Sequence, residues 1–198
     1  MQSIVTKIKK RIYNKNRGFV FTKSHFLDLG SRTAVAKALE RLAGSGTIRR
    51  LARGLYDYPE RHPVLGDLPA NYERIAQTLA GRDSLKIQPS GAYAANLLGL
   101  TDQVPARIVF LIDGSNRTVQ VKNQQIVLKR TTPKNMATAG QVSGLVIQAL
   151  RYLGKDHVND KTAGALKKRL TREDKRQLMR NLRYAPAWMG SIFRQLQG

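Results

Sequence analysis

The segment from residue 31 to residue 58, SRTAVAKALERLAGSGTIRRLARGLYDY, constrains the fold of this chain more than any other feature. Ser31 is a favourable N-cap, and Gly44 and Gly46 are typical of a helix end. Between them, apolar residues recur at the three- and four-residue intervals of one buried helical stripe, at Val35, Ala38, Leu39 and Leu42. The first half of the segment therefore predicts an amphipathic helix.

Two short strands are predicted directly after this helix, at residues 47–51 and 54–58. A turn at residues 52–53 joins them into a hairpin. We expect such a hairpin to hold three guanidinium groups outward, where they can contact phosphates or enter a minor groove: those of Arg49, Arg50 and Arg53.

The exposed face of the predicted helix is polar and basic. It carries Thr33, Lys37 and Arg41, and Arg32 lies on its flank near the N-terminus. Helix-turn-helix proteins insert this end of a recognition helix into the major groove of DNA. The pattern therefore favours DNA binding over its plainer alternative, a solvated basic face.

The residues upstream supply the other elements of a DNA-binding fold. Apolar positions from Ile4 to Tyr13 predict a first helix, residues 19–21 predict an extended run, and Thr22 caps a second helix that ends at Leu29. Three helices and a hairpin make a winged helix-turn-helix. We expect residues 1–62 to be this domain and to contact double-stranded DNA through Thr22, Lys23, Ser31, Arg32, Thr33, Lys37, Arg41, Arg49, Arg50, Arg53 and Tyr56.

The charge of the chain supports a polyanionic partner. There are 35 Lys and Arg residues against 13 Asp and Glu, which gives a formal net charge of +22. Residues 1–62 carry +10 of this and residues 155–198 carry +7. A membrane surface is the competing polyanion, but the basic helices lack the broad apolar face of an interfacial anchor. We therefore expect no membrane partner.

The rest of the chain predicts a linker and a second domain. Three prolines fall within residues 59–69, so we expect a linker at 63–69 and an α+β domain at 70–198. Overall this predicts an α+β chain in which a winged helix-turn-helix precedes a small mixed α/β domain and a helical C-terminal segment. The expected strands lie at 85–88, 107–112, 118–121 and 125–129, and the expected helices at 71–80, 92–98, 139–153, 160–169, 171–183 and 186–196.

Three stretches of the chain resemble the AbiEi-type antitoxins of bacterial abortive-infection (type IV) toxin–antitoxin systems. They are GTIRRLARGLY at 46–56, Pro89-Ser90-Gly91 followed by AANLLGLT at 94–101, and the strand that leads into Asp113-Gly114. The resemblance covers residues 1–150. It implies a winged helix that represses its own operon at inverted repeats, and a C-terminal domain that counteracts a nucleotidyltransferase toxin, directly or through the toxin's substrate.

The basic C-terminal segment lies largely beyond this resemblance. Its cations recur at intervals of three and four residues, which lines them up on one side of a helix. The spacing predicts either a solvated face or a surface for a toxin or nucleic acid, formed by Lys167, Lys168, Arg172, Arg176, Arg180 and Arg183.

Other classes of function are alternatives to an antitoxin. A winged-helix regulator without a toxin fits the same N-terminal pattern, and an RNA- or ribosome-associated protein fits the charge. A PD-(D/E)xK nuclease would use Asp113, residues 120–122 and Glu73, but Gln120 stands where such nucleases need an acid.

We expect no enzymatic activity, metal or cofactor. The three histidines, His25, His62 and His157, are widely separated, and neither a Walker-type nor a dinucleotide glycine pattern occurs. There is no cysteine, and no apolar run approaches the length of a membrane span. A soluble cytoplasmic protein is the expectation.

Overall fold

The chain is an α+β protein, as predicted. A computed structural model describes residues 2–81 and 86–197, and within these residues helices and short strands are interspersed. Contacts divide the chain into two units, Met1–Leu79 and Ala80–Gly198. The division falls at residues 79 and 80, whereas the sequence placed a linker at 63–69.

The first helix of the N-terminal unit, α1, spans Ile4–Tyr13. The side chain of Ser3 caps it by accepting a hydrogen bond from the backbone N–H of Thr6. Ile8 and Ile12 lie one helical turn apart and are fully buried, which agrees with the predicted helix.

The prediction of a second helix at residues 22–29 is wrong. Strand β1 (Val20–Thr22) leads instead into a single 3₁₀ turn, Lys23–Phe26. This turn begins with a reciprocal capping box between Thr22 and His25. Phe26 is buried, but Leu27 is 40% exposed. With one buried anchor and no apolar stripe, nothing favours extending the turn into an α-helix.

Helix α2 spans Arg32–Gly44, as predicted. The Ser31 side chain accepts a hydrogen bond from the backbone N–H of Ala34, which satisfies one free donor of the first turn. The predicted stripe is buried at Val35, Ala38, Leu39 and Leu42.

A three-stranded antiparallel sheet follows, in the order β1-β3-β2. Strand β2 is Arg49–Ala52 and strand β3 is Leu55–Asp57, which confirms the predicted hairpin with shorter strands. Phe21 of β1 lies opposite Tyr56 of β3. One core holds the inner face of the sheet and the two helices together, through Ile8, Ile12, Phe21, Phe26, Val35, Leu39 and Tyr56.

The predicted linker contains a small hairpin. Strands β4 (Arg61–His62) and β5 (Gly66–Asp67) pair, and an ion pair of 2.9 Å between Arg61 and Asp67 closes them. The proline count argued against regular structure, but Pro63 lies in the turn, where no ladder hydrogen bond is required.

Helix α3, Tyr72–Ala80, confirms the predicted helix 71–80. The Thr78 hydroxyl donates a hydrogen bond of 3.0 Å to the carbonyl oxygen of Val20 in β1. Arg74 also forms an ion pair with Glu60, which precedes the small hairpin. These contacts place most of α3 in the first unit.

The second unit contains a four-stranded sheet in the order β6-β7-β9-β8. Its strands are β6 (Gln88–Ser90), β7 (Arg107–Ile112), β8 (Arg117–Val121) and β9 (Gln124–Arg130). β7 and β9 are parallel and the other pairings are antiparallel. The last three strands match the prediction, but β6 begins at the last residue of the predicted strand 85–88, and Leu85 lies outside the described residues.

Helices pack against this sheet and against one another. They are α4 (Gly91–Leu97), α5 (Pro133–Met136), α6 (Val142–Leu153), α7 (Asp160–Arg169), α8 (Arg172–Arg180) and α9 (Met189–Gln195). The largest core cluster is built mainly from α4, α6 and the C-terminal helices, with Leu150, Leu178 and Phe193 fully buried. The predicted helix 171–183 is shorter, because the chain enters a 3₁₀ turn at Leu182–Tyr184.

None of the helices in residues 2–81 and 86–197 is long and apolar enough to cross a membrane.

Candidate nucleic-acid interface

The outer face of α2 is continuous and polar. Thr33, Lys37, Glu40 and Arg41 are all exposed and lie within about a third of the helix circumference, opposite the buried stripe. Arg32 is exposed in the first turn, next to the cap. Three of the predicted DNA contacts, Thr33, Lys37 and Arg41, therefore share one accessible helix face, and Arg32 is exposed on its flank at the N-terminal end.

The cations of this face have no partners within the described chain. Neither ion pairs nor side-chain hydrogen bonds to Arg32, Lys37 or Arg41 occur there. The predicted contacts omitted Glu40, although the spacing from Lys37 places it on the same side of the helix. Its carboxylate repels phosphate and can accept a hydrogen bond from the amino group of cytosine.

The β2–β3 turn presents two further cations. Arg50 and Arg53 are exposed, and within the described residues neither has an ion pair. A bulge between Arg50 and Ala52 interrupts the pairing of β2 with β3, and Gly54 takes a positive φ of 75° in the turn. This part of the predicted surface has the expected outward orientation.

Arg49 is half-buried in an ion pair, contrary to the expectation that its guanidinium is free on the outer surface. Its guanidinium donates two hydrogen bonds, of 3.0 and 2.6 Å, to the carboxylate of Asp57, directly opposite on β3. It also donates to the carbonyl oxygen of Leu68. Asp57 is 1% exposed, so the charge of Arg49 compensates a buried carboxylate and is not available to a phosphate.

Three other predicted contacts have structural tasks. Tyr56 is 6% exposed and belongs to the core, which corrects its assignment to the DNA surface. The side chains of Thr22 and Ser31 cap the 3₁₀ turn and α2. Lys23, in contrast, is exposed at the start of the 3₁₀ turn.

The first unit is strongly positive, and most of its acids are engaged in internal ion pairs. Residues 1–79 contain 15 Lys and Arg residues against 6 Asp and Glu. Four of the acids pair with arginines: Asp28 with Arg11, Asp57 with Arg49, Glu60 with Arg74 and Asp67 with Arg61. Asp28 in turn raises the pKa of Arg11 through their hydrogen bond. The other two acids of the unit, Glu40 and Glu73, have no ion pair within the described residues.

The predicted C-terminal stripe is divided among three elements. Lys167 and Lys168 lie on α7, Arg183 lies in the 3₁₀ turn after α8, and only Arg172, Arg176 and Arg180 share a face of α8. Glu173 forms ion pairs with Arg180 at 2.6 Å and with Arg176 at 3.6 Å. The hydrogen bond from Arg180 lowers the pKa of Glu173. The stripe is thus partly neutralised.

The residues of the nuclease alternative do not converge. Asp113 follows the carboxyl end of β7, whereas Gln120 of β8 lies opposite Gln125, which pairs with the first residue of β7. At about 3.3 Å per residue these two ends are roughly 20 Å apart. Glu73 belongs to the other unit. Within the described residues no group of three potential metal ligands occurs.

Comparison with known proteins identifies a family without an assigned role. A family model described as "Family of unknown function (DUF6088)" matches residues 7–178. A search of curated proteins found no match. The match spans parts of both structural units, including α2 and the β2–β3 hairpin.

Proposed function

This chain belongs to the DUF6088 family, and we propose that it is an antitoxin and autorepressor that binds operator DNA through its first unit. The observation that carries the DNA-binding part is the outer face of α2 with its N-terminal flank: Lys37 and Arg41 on the face and Arg32 on the flank are exposed and unpaired among the described residues.

The arrangement of the first unit supports a winged helix. The chain order is helix, strand, 3₁₀ turn, helix, strand and strand, and the first strand pairs with the third rather than the second. In such a fold α2 is the recognition helix and the β2–β3 hairpin is the wing. The single turn Lys23–Phe26 then takes the place of the helix that precedes the recognition helix.

Arg50 and Arg53 suit the wing because they carry charge at a turn. Guanidinium groups there contact phosphates, and such contacts set the register of a protein on DNA without reading its sequence. Sequence is read by side chains of α2 that reach base edges. The proposed interface therefore consists of Lys23, Arg32, Thr33, Lys37, Arg41, Arg50 and Arg53.

Arg32→Ala and Lys37→Ala should each weaken binding to the cognate operator by on the order of 1–3 kcal/mol, if each side chain contacts a base edge. The measurement is fluorescence anisotropy with the promoter duplex upstream of the gene, at fixed salt. Lys161→Ala removes an exposed cation from α7 and serves as the control. Parent-like affinity of both α2 variants would exclude α2 as the recognition helix.

The antitoxin part of the proposal is supported by the resemblance at residues 46–56, 89–101 and 113–114. In the structure, Pro89-Ser90-Gly91 ends β6 and begins α4, and Asp113-Gly114 follows β7. The second unit has a core of its own, which suits a task separate from DNA binding. Counteracting a nucleotidyltransferase toxin is that task in the proposal.

Co-expression tests this part. If a neighbouring gene encodes a nucleotidyltransferase, its induction should arrest growth and the full chain should restore it. Arg32→Ala combined with Lys37→Ala should retain the rescue, because repression and neutralisation use different units. If this double variant loses both operator binding and rescue, the chain acts only as a regulator.

Binding to RNA is the alternative that the charge supports. The wide, deep major groove of B-form DNA admits a helix, whereas the narrow major groove of an RNA duplex does not. The α2 face therefore favours duplex DNA. Equal affinity for an RNA duplex of the same sequence would favour the alternative.

A further inference from the structure

The carboxyl ends of β7 and β9 lie side by side in the second unit. The two strands are parallel, with Ile112 opposite Arg130, so their ends meet at one edge of the sheet. The backbone N–H of Thr131 donates to the carbonyl oxygen of Ile112, and helix α5 begins two residues later. Loops at the carboxyl edge of parallel strands are a common position for ligands.

Arg151 of α6 is joined to this edge. Its Nη1 donates a hydrogen bond of 2.6 Å to the Oδ1 of Asn135 in α5. The Nδ2 of Asn135 donates to the Thr131 hydroxyl at 2.8 Å, so the amide oxygen is the atom that faces the guanidinium. A neutral side chain therefore orients Arg151 at the end of β9.

The charge of Arg151 is not compensated by an acid. Its side chain is half-buried, and no carboxylate of the described residues pairs with it. Burial lowers the pKa of Arg151, but arginine stays protonated in proteins. A partly desolvated cation without a counterion favours an anionic ligand, because such a ligand restores the interactions lost with water.

The surrounding segment is basic over a long stretch. Residues 114–155 contain seven Lys and Arg residues and no Asp or Glu. Lys129, Arg130 and Lys134 are exposed at the end of β9 and in α5. Asp113 is the one acid that follows β7 at this edge, and it is exposed and not ion-paired to Arg151. Lys134 is the chain neighbour of Asn135, the residue that orients Arg151, and a phosphate accepts from an arginine and a further donor more readily than a single carboxylate does.

We propose that Arg151, positioned by Asn135, forms a phosphate-binding site at the carboxyl end of β7 and β9. The ligand is the phosphate of a nucleotide or of a nucleic-acid strand. The site lies in the second unit and does not depend on operator binding by the first. It extends the proposed function by giving the second unit an anionic ligand of its own.

The test compares three variants of the full-length chain. Asn135→Asp keeps the side-chain size but supplies Arg151 with an internal carboxylate, and Arg151→Gln removes the cation. Lys161→Gln makes the same change in net charge on α7 and is the control. The probes are ATP, measured by calorimetry, and a fluorescent single-stranded 12-mer RNA, measured by anisotropy, with poly-glutamate as a competitor.

Asn135→Asp and Arg151→Gln should each weaken at least one phosphate ligand by about tenfold or more, and Lys161→Gln by less than about twofold. Weakening of ATP and RNA together assigns a general phosphate site, and weakening of RNA alone assigns the nucleic-acid strand. If Arg151 has only a structural role, a folded Asn135→Asp variant will bind ATP and RNA as the parent does. That result would overturn the proposal. So would poly-glutamate competing as well as the phosphate ligands at equal charge.

The outcome is separable from that of the proposed operator binding. Arg32→Ala changes the first unit and should leave ATP affinity unchanged. Failure of the Arg151 site would not alter the operator measurement, and loss of the α2 assignment would not alter the ATP measurement.

Discussion

Arg49→Ala should destabilise the N-terminal unit by about 3 kcal/mol, because it leaves a buried carboxylate without its partner. Asp57 is 1% exposed and accepts both hydrogen bonds of the Arg49 guanidinium. The loss also frees the carbonyl oxygen of Leu68. Hydrogen exchange of the β2 and β3 amides measures this unit separately from the second.

The matched control for Arg49 removes two cations from the same hairpin. Arg50→Ala combined with Arg53→Ala should change stability by less than about 1 kcal/mol, since both side chains are exposed. It should instead reduce the slope of log K for DNA binding against log salt concentration by roughly one unit per lost phosphate contact.

Replacing Arg49 and Asp57 together by Met and Asn removes the uncompensated buried charge and should recover part of the stability. Unchanged exchange rates in Arg49→Ala would contradict the buried ion pair.

Gly144→Ala should destabilise the second unit by about 3 kcal/mol, near the upper end of the cost of overpacking. A Cβ on Gly144 would collide with the backbone carbonyl of Thr138 and with the Oε1 of Gln88. The carbonyl is backbone and Gln88 is 1% exposed, so neither can easily give way. Chemical denaturation followed by the fluorescence of Trp188 reports on this unit.

Gly164→Ala provides the comparison for Gly144. Gly164 lies inside α7, and a Cβ there meets nothing within 4 Å. Alanine has the higher helix propensity, so this variant should be more stable by up to about 1 kcal/mol. Equal stabilities of Gly144→Ala and Gly164→Ala would show that close packing does not require a glycine at residue 144.

Local sequence pattern predicted helix α2 and strand β7, and their predicted positions agree with the structure. The apolar residues of α2 recur at helical spacing and face one core, whereas β7 is a continuous apolar run that is buried on both faces of its sheet. The second N-terminal helix failed because only Phe26 of that segment is buried, which no local pattern reveals. The hairpin at residues 61–67 was missed because Pro63 and Gly66 fit a tight turn as well as a linker.

The candidate interface was predictable where exposure follows from helical spacing. The outward positions of Lys37 and Arg41 follow from the buried stripe on the opposite side of α2. Arg49 was misassigned because its partner Asp57 is eight residues away and meets it only through strand pairing. Arg151 was not singled out, although the absence of acids in residues 114–155 is a signal that the sequence contains.

The strand order of the second unit imposes a sequence of events during synthesis. β9 lies between β7 and β8, although it follows both in the chain. A nascent chain that has emerged only to residue 123 lacks the strand that pairs with both β7 and β8, so each of these strands presents an open edge. The sheet is completed when residues 124–130 pair with β8 on one side and with β7 on the other. Until then, exposed strand edges are available to chaperones or to neighbouring chains on the same polysome.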